Sequence, residues 1–146
     1  MNSPVRVAVV GGGHLGRFHA QKFAQISDCK LVAVCDIDEN KVKALATEVG
    51  SQPETDYKKL EGKVDAVMIA SHTTSHFEIA QFFLSRGVHV HVEKPLTETV
   101  AQAQELCRIA KNKMLFYKSV ASSATIRHCS RPRINWVCRF SSNAIA

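Results

Sequence analysis

The sequence predicts an α/β fold, a three-layer, doubly wound parallel sheet with helices on both faces. Two observations predict this class. Short apolar runs rich in valine, typical of strands that are buried on both faces, alternate with longer segments of helical period. A cluster of glycines joins the first apolar run to the first helical segment at residues 11–16. Strand–helix–strand units at this spacing make right-handed crossovers, so their strands lie parallel in one sheet.

The elements follow one another without an internal repeat or a low-complexity linker. Each predicted strand is an apolar run, and each predicted helix carries apolar residues on one face. The predicted strands are residues 5–10, 30–35, 64–70, 88–92 and 114–121. The predicted helices are residues 14–26, 39–49, 56–60, 74–86 and 97–113. Gly50 and Gly87 are expected to end two of these helices, because glycine readily adopts the left-handed conformation that closes a helix.

Gly11, Gly13 and Gly16 have the G-x-G-x-x-G spacing between the first strand and the first helix. The first glycine permits a tight turn, the second lets a pyrophosphate approach the backbone, and the third allows the helix to pack closely on the strand. The N-terminus of the helix presents N–H groups and the positive end of its dipole to an anion. His14 and Leu15 lie at this N-terminus and are candidates to touch the phosphates.

Asp36 ends the second predicted strand, 20 residues beyond Gly16. An acid at this place accepts hydrogen bonds from both ribose hydroxyls of an adenosine, and it repels a 2′-phosphate. The pattern therefore predicts NAD in preference to NADP in a Rossmann-type domain. The alternative is that Asp36 or Asp38 only caps the following helix. We assign Asp36 to the ribose and Asp38 to the cap, and we include Ile37 among the candidate cofactor-binding residues.

Two further loops follow strands on the edge where such a sheet binds its ligands. Ser71, Thr73 and His76 come after the third predicted strand and are candidates to line the ribose and pyrophosphate. Ordinary helix capping is an equally good interpretation for the neighbouring Thr74.

Glu93, Lys94 and Pro95 follow the predicted strand at residues 88–92. Proline fixes a turn and makes the preceding residue extended, so it directs Lys94 from the sheet edge into the crevice. A surface Glu and Lys beside a turn are usually only solvated. Here the strand end, the proline and the cofactor side coincide, which favours a catalytic lysine at Lys94. Glu93 and Lys94 are also candidates to touch the cofactor.

Composition excludes several classes of protein. No apolar run approaches the roughly 20 residues that span a bilayer, and the start of the chain lacks the features of a signal peptide, so a cytoplasmic location is expected. The five cysteines contain no C-x-x-C pair, which favours free thiols, and no metal site is predicted. The net charge of +6 resides mainly in residues 114–146, which carry five basic residues and no acid. Contact with nucleic acid or a membrane is not the favoured interpretation of this tail.

Four segments together resemble the N-terminal half of the Gfo/Idh/MocA oxidoreductases, the glucose-fructose oxidoreductase and inositol dehydrogenase family. They are VAVVGGGHLGRFHA, VAVCDID, the A-S-x-T-x-x-H-x-E-x-A segment and VHVHVEKPL, within residues 5–113. The resemblance implies NAD(P) at the three glycines, ribose at Asp36, and Lys94 as the lysine that positions the substrate hydroxyl and relays its proton. It also implies a sugar or cyclitol substrate and an oligomer. His72 stands where many members have proline.

The tail departs from this family. There the last helix is followed by a strand, a segment resembling L-Q-V-G-H-x-x-R-F-N-P-A and a large antiparallel-sheet domain. Another reading frame of the codons for residues 116–128 permits L-Q-V-G-x-x-x-R-Y-N-P-A. Our hypothesis is a frameshift near residues 111–114, which gene sequencing across codons 105–130 tests. We therefore predict a Rossmann domain over residues 1–121, a poorly packed tail over 122–146, and a chain that binds cofactor without turnover.

Two other function classes remain open at this point. The chain can be a stand-alone nucleotide-binding or regulatory module whose basic tail recruits an anionic partner. Alternatively, the glycine turn and the acid after the second strand bind S-adenosylmethionine in a methyltransferase-like domain. The E-K-P sequence after the fourth predicted strand favours the oxidoreductase over the methyltransferase, and salt-sensitive binding of nucleic acid would indicate the regulatory module.

Overall fold

The computed structural model describes residues 3–113 and the backbone of residues 117–119. Strands and helices alternate along the chain. In order they are β1 (Val5–Val10), α1 (His14–Gln25), β2 (Cys29–Cys35), α2 (Glu39–Val49), β3 (Gln52–Glu54), a short 3-10 helix (Tyr57–Leu60), β4 (Ala66–Ile69), α3 (Thr73–Ser85), β5 (His89–Val92), α4 (Val100–Asn112) and β6 (Tyr117–Ser119). Every strand pairs in parallel with its neighbours, in the order β3-β2-β1-β4-β5-β6. The predicted fold class is confirmed.

Successive residues of the central strand β1 point into two separate hydrophobic cores. Val7 and Val9 pack with α1 and α2 on one face of the sheet, whereas Ala8 and Val10 pack with α3 and α4 on the other. This alternation follows from the two-residue period of a strand. The strand is buried on both faces, which explains why its sequence is a continuous apolar run.

The side of β1 on which new strands join the sheet changes after β3. From β1 the sheet grows outwards through β2 to β3, and the next crossover returns to the other side of β1, where β4 pairs with it. The connections that follow β1 and β4 therefore leave in opposite directions and open a crevice at the carboxyl ends of these strands. In open α/β sheets this is the place where ligands bind.

The structure differs from the prediction at one strand and at one helix start. Strand β3 was missed, because it has only three residues and contains Pro53. It forms the edge of the sheet, where a proline costs no ladder hydrogen bond. Helix α4 begins at Val100 rather than at residue 97, because Thr99 and Gln102 form a reciprocal capping box. The other predicted boundaries within residues 3–113 lie within two residues of those observed.

Strand β6 pairs with β5 and lies within the strand predicted at residues 114–121. The rest of that segment and the predicted tail at residues 122–146 lie outside the described residues, as do Cys129 and Cys138. Over residues 3–113, no helix is both long enough and apolar enough to cross a membrane.

Candidate functional site

Backbone hydrogen bonds join the loops at the carboxyl ends of the strands into one rim. The N–H of Gly11, after β1, donates to the carbonyl of Cys35 at the end of β2 (2.7 Å). The N–H of Ala70, after β4, donates to Val10 of β1 (2.7 Å), and that of Glu93, after β5, donates to Ile69 of β4 (2.9 Å). The rim therefore continues the sheet's ladder past the strand ends.

Two glycines make the turn after β1 sterically possible. Gly11 has a positive φ of 107°, and a Cβ added there would collide with the carbonyl group of Ala70. A Cβ on Gly16 would collide with the carbonyl oxygen of Gly11. Only glycine at both positions lets α1 begin directly against the loop.

Gly13 differs from its neighbours because the space above it is open. It is the N-cap of α1, has a φ of −71° that any residue can adopt, and has no atom within 4 Å of the place where a Cβ would lie. No side chain caps α1 or α3, whereas Asp38 caps α2, as predicted, and Thr99 caps α4. The two helices without a side-chain cap are those that start from β1 and β4 beside the crevice, where their N–H groups are available to an anion.

The carboxylate of Asp36 connects the glycine loop to the turn after β2. Its Oδ2 accepts the N–H of Gly12 (2.6 Å), and its Oδ1 accepts the N–H of Asp38 (3.0 Å). A carboxylate has about four acceptor positions, so further positions remain for two hydroxyl donors. Ile37 follows with 93% of its surface exposed, and Leu15 at the first turn of α1 is also exposed. Both apolar side chains lie on the rim where the cofactor was predicted, as does the exposed His14 at the start of α1.

The loop after β4 is organised around His76. Its ring is 1% exposed, with Nδ1 2.9 Å from the carbonyl oxygen of Pro95 and Nε2 3.0 Å from that of Ser71. The hydroxyl of Ser71 pairs with Ser75 (2.8 Å), and the half-buried Thr73 is the first residue of α3. In this arrangement both ring nitrogens of His76 have partners within the protein, and the side chain connects two loops. Its place along the ribose and pyrophosphate stays a prediction.

The turn after β5 buries Glu93 and leaves Lys94 exposed. Glu93 is 5% exposed, and its Oε1 lies 2.5 Å from Nε2 of His19 on α1. Its Oε2 accepts the backbone N–H of Lys94 (3.2 Å). Both oxygens of Glu93 therefore have partners within the protein. Its contact with the cofactor stays a prediction. Lys94 is exposed, and its peptide bond to Pro95 is cis.

A model of the oxidoreductase family with an NAD-binding Rossmann fold, Gfo/Idh/MocA, matches residues 5–119. The chain belongs to this family. The match includes the glycine loop, Asp36, the loop after β4 and the Glu93–Lys94–Pro95 turn.

Relatives of this Gfo/Idh/MocA chain include proteins named as sugar dehydrogenases. UDP-N-acetylglucosamine 3-dehydrogenase of Acidithiobacillus ferrooxidans is 38% identical over 76% of the chain and 35% of its own length. D-glucoside 3-dehydrogenase of Escherichia coli is 36% identical over 80% of the chain and 35% of its own. The crystal structure of GenD2 from gentamicin A biosynthesis, in complex with NAD, has a TM-score of 0.76 and 31% identity over 82% of the chain and 35% of its own. The chain thus spans about a third of these relatives.

Two residues of this Gfo/Idh/MocA site escaped the sequence prediction. The side chain of Lys41, in the first turn of α2, lies along Gly12, with its Cδ 3.4 Å from the place where a Cβ would stand. His19 is buried against Glu93, 74 residues away in sequence. For Lys41 the sequence holds a local signal, a lysine about one helical turn after an acid. For His19 it holds no signal, because a histidine on the apolar face of a helix does not show which residue it will contact.

Among residues 3–113, no group of three or more His, Cys, Asp or Glu side chains is arranged to hold a metal. The three described cysteines, Cys29, Cys35 and Cys107, are free thiols, which agrees with the prediction. Cys35 lies directly beside Asp36, so it is the thiol closest in sequence to the candidate ribose ligand. Burial raises the pKa of Cys35 to about 12, and the charges of Glu54 and Asp36 add to the effect.

We expect Cys35 to be unreactive in the folded protein. With its pKa at about 12, roughly 1 in 10⁴ molecules carries the thiolate at pH 8, whereas an ordinary thiol near pKa 8.5 is about one quarter ionised. Alkylation by iodoacetamide, followed at Cys35 by peptide mass spectrometry, should be at least ~100-fold slower in the native protein than in urea. Raising the pH from 8 to 9 should accelerate the native reaction about tenfold, because the thiolate fraction rises tenfold below the pKa. Equal native and unfolded rates would contradict the assignment.

Proposed function

We propose that this chain binds NAD across the crevice between β1 and β4 and forms the cofactor half of a dehydrogenase. The observation that carries the proposal is the open surface over Gly13, at an uncapped helix N-terminus, with the Asp36 carboxylate beside it. A Cβ would occupy the space over Gly13, and nothing in the fold requires that this space stay empty. A pyrophosphate needs such a space to reach the backbone N–H groups.

Different residues around this opening are proposed to contact different parts of the cofactor. The pyrophosphate lies over Gly11, Gly13 and the N–H groups of His14 and Leu15 at the start of α1. Asp36 accepts the two hydroxyls of the adenosine ribose with the acceptor positions that Gly12 and Asp38 leave free. The exposed side chain of Ile37 provides an apolar surface for the adenine ring, which would otherwise stay in water.

Lys94 is proposed to act on the substrate side of the same crevice. It is exposed at the carboxyl end of β5, one strand beyond β4, and its backbone is fixed by Glu93. The bound nicotinamide supplies the hydride acceptor. The lysine ammonium is proposed to hold the hydroxyl of the carbon that is oxidised and to relay its proton. The substrate class, a sugar or cyclitol, is supported by the names of relatives such as D-glucoside 3-dehydrogenase and myo-inositol 2-dehydrogenase.

The test is a titration of the purified chain with NADH and with NADPH, followed by nicotinamide fluorescence. We expect NADH to bind more tightly, because the Asp36 carboxylate repels a 2′-phosphate. Asp36→Ala should weaken NADH by about 10- to 100-fold, the loss expected for hydrogen bonds to a charged group. It should weaken NADPH much less, so the ratio of the two affinities falls. General damage to the loop would weaken both equally.

Asp38→Ala is the matched control for this titration. It removes the side-chain cap of α2, which accepts the N–H of Lys41 at 3.1 Å, and it leaves the Asp36 carboxylate in place. We expect it to cost about 1 kcal/mol of stability and to leave the preference for NADH unchanged. Tighter binding of NADPH by the unaltered chain, or an Asp36→Ala variant with the original NADH affinity, would contradict the proposal.

We also propose that residues 1–121 form the cofactor domain and that residues 122–146 add nothing to binding. The family match through residue 119 and the pairing of β6 with β5 support a boundary in this region. Because substrate contacts of a dehydrogenase need more than a cofactor site, we expect NAD binding without turnover on sugars or inositols. Measurable turnover by the 146-residue chain would contradict this proposal, and the gene sequence across codons 105–130 tests the frameshift hypothesis.

A further inference from the structure

Lys94 stands between two residues that are each held by a buried histidine. His19 contacts the side chain of Glu93, and His76 contacts the backbone carbonyl of Pro95. The two histidines come from helices on opposite faces of the sheet, since α1 packs into one hydrophobic core and α3 into the other. The turn that carries Lys94 is therefore held from both faces.

The contact from α1 is formed by side chains that are both enclosed. The side chains of His19 and Glu93 are 4% and 6% exposed, and Nε2 of the histidine lies 2.5 Å from Oε1 of the glutamate. The second carboxylate oxygen accepts the N–H of Lys94. His19 thus acts on the Lys94 backbone through one intermediate group. It stands three residues after Gly16, on the helix whose N-terminus faces the proposed phosphate site.

The contact from α3 joins a side chain to the backbone, whereas the contact from α1 joins two side chains. The His76 ring lies between the carbonyls of Pro95 and Ser71, at 2.9 and 3.0 Å. It connects the turn after β5 to the loop after β4, which borders the crevice. The two contacts leave Glu93 and Pro95 little freedom, and Lys94 can move independently only through its own side chain.

We propose that His19 and His76 form a two-sided brace, meaning the contacts of His19 with Glu93 and of His76 with Pro95. The brace fixes the backbone position of Lys94 and so directs its ammonium into the crevice. Both are positioning residues, since His19 acts on Lys94 through Glu93, and both ring nitrogens of His76 lie against backbone carbonyls. The use that Lys94 makes of this orientation rests on the proposed function. The brace itself rests only on the contacts of the free protein, so the two proposals can fail separately.

The first measurement needs no ligand. Amide hydrogen exchange at Glu93 and Lys94 is followed by NMR in the unaltered chain and in His19→Phe and His76→Phe, which keep an aromatic ring and remove both nitrogens. We expect exchange at these two amides to rise at least ~10-fold in each variant, because the local opening that exposes them becomes easier. Exchange in α2, to which neither histidine is hydrogen-bonded, should rise much less than exchange at Glu93 and Lys94 and serves as the internal control.

Conservative variants separate positioning from simple filling of space. His19 reaches Glu93 through Nε2, and His76 reaches Pro95 through Nδ1. His19→Gln and His76→Asn place an amide N–H near those two nitrogen positions, so we expect exchange within ~3-fold of the original. If a phenylalanine variant fails to fold, as loss of protection throughout α2 would reveal, the corresponding leucine variant replaces it, since leucine also offers no N–H to either contact. Unchanged exchange at Glu93 and Lys94 in the folded variants overturns the brace.

The second measurement connects the brace to the cofactor. Trace acetylation of Lys94 is compared without and with saturating NADH. The reaction is normalised to that of Lys63, an exposed lysine that precedes β4 and so lies towards the amino ends of the strands, away from the crevice. We expect NADH to protect Lys94 in the original chain and in the conservative variants His19→Gln and His76→Asn. It should protect Lys94 at least ~5-fold less in the phenylalanine variants even when they bind NADH. Equal protection in all variants argues against the brace. If the original chain binds no NADH, the proposed function fails, and the exchange measurement still decides the brace.

Discussion

Gly11→Ala is expected to lower the free energy of unfolding by about 3 kcal/mol or more and to abolish NADH binding. Two causes add. The positive φ of 107° is unfavourable for any residue with a Cβ, and the new methyl group would collide with the carbonyl of Ala70. That carbonyl lies on the backbone directly after β4, so it can move aside only if the rim separates from the sheet. Urea unfolding followed by circular dichroism measures the loss.

Two other glycines isolate the causes. Gly50 ends α2 with a φ of 67° and has open space around it, so Gly50→Ala should cost only about 1 kcal/mol. Gly13→Ala meets neither a strained φ nor a neighbour and should leave stability within about 0.5 kcal/mol. Its methyl group nevertheless stands where the pyrophosphate is proposed to lie, so NADH affinity should fall. A Gly13→Ala variant that binds NADH normally would argue against this position for the phosphates, and equal costs at Gly11 and Gly50 would argue against the collision.

His19→Leu is expected to destabilise the protein by about 3 kcal/mol. Leucine is similar in size, so the packing of α1 changes little. The buried carboxylate of Glu93, however, loses its side-chain partner and keeps only the N–H of Lys94. Removing one member of a buried pair leaves the other without compensation for its lost hydration, and this is the main source of the cost.

Arg17→Leu is the matched control, because it breaks another contact between α1 and a glutamate. Arg17 pairs with Glu48 of α2 at 2.9 Å, but both side chains are substantially exposed to water. Solvent screens such a pair, so the midpoint of urea unfolding should hardly change. Denaturation curves for the two variants and for His19→Leu/Glu93→Leu complete the comparison. The double variant should regain part of the stability, and a cost at His19 no larger than that at Arg17 would show that the buried pair contributes little.

The elements that the sequence predicts well are those in which local chemistry decides. The valines of β1 predict a strand with two buried faces, and Gly50 predicts the end of α2, because each property belongs to the residue and its near neighbours. The turn at Gly11 and the position of Asp36 are predicted for the same reason. Strand β3 could not be predicted from its own three residues, since it is defined by its pairing with β2.

The contacts that hold Lys94 lie beyond local pattern altogether. Three strands, β2, β3 and β4, lie between His19 and Glu93 in the chain, and only the formation of the sheet brings α1 next to the end of β5. His76 contacts Pro95 between two different loops. The sequence shows each of these residues but names no partner for any. The sequence therefore predicts contact with the cofactor for Glu93 and His76 but does not predict that both are buried among protein partners.

The hydrogen bonds that carry the ladder past the strand ends have a thermodynamic consequence. Gly11, Ala70 and Glu93 are already held by their neighbours before any ligand arrives. A cofactor that binds there has little backbone to immobilise, so most of the entropy that it loses is its own. Its association should be that of a preformed site, with a small change in protein dynamics and an affinity limited by the quality of its contacts rather than by loop ordering.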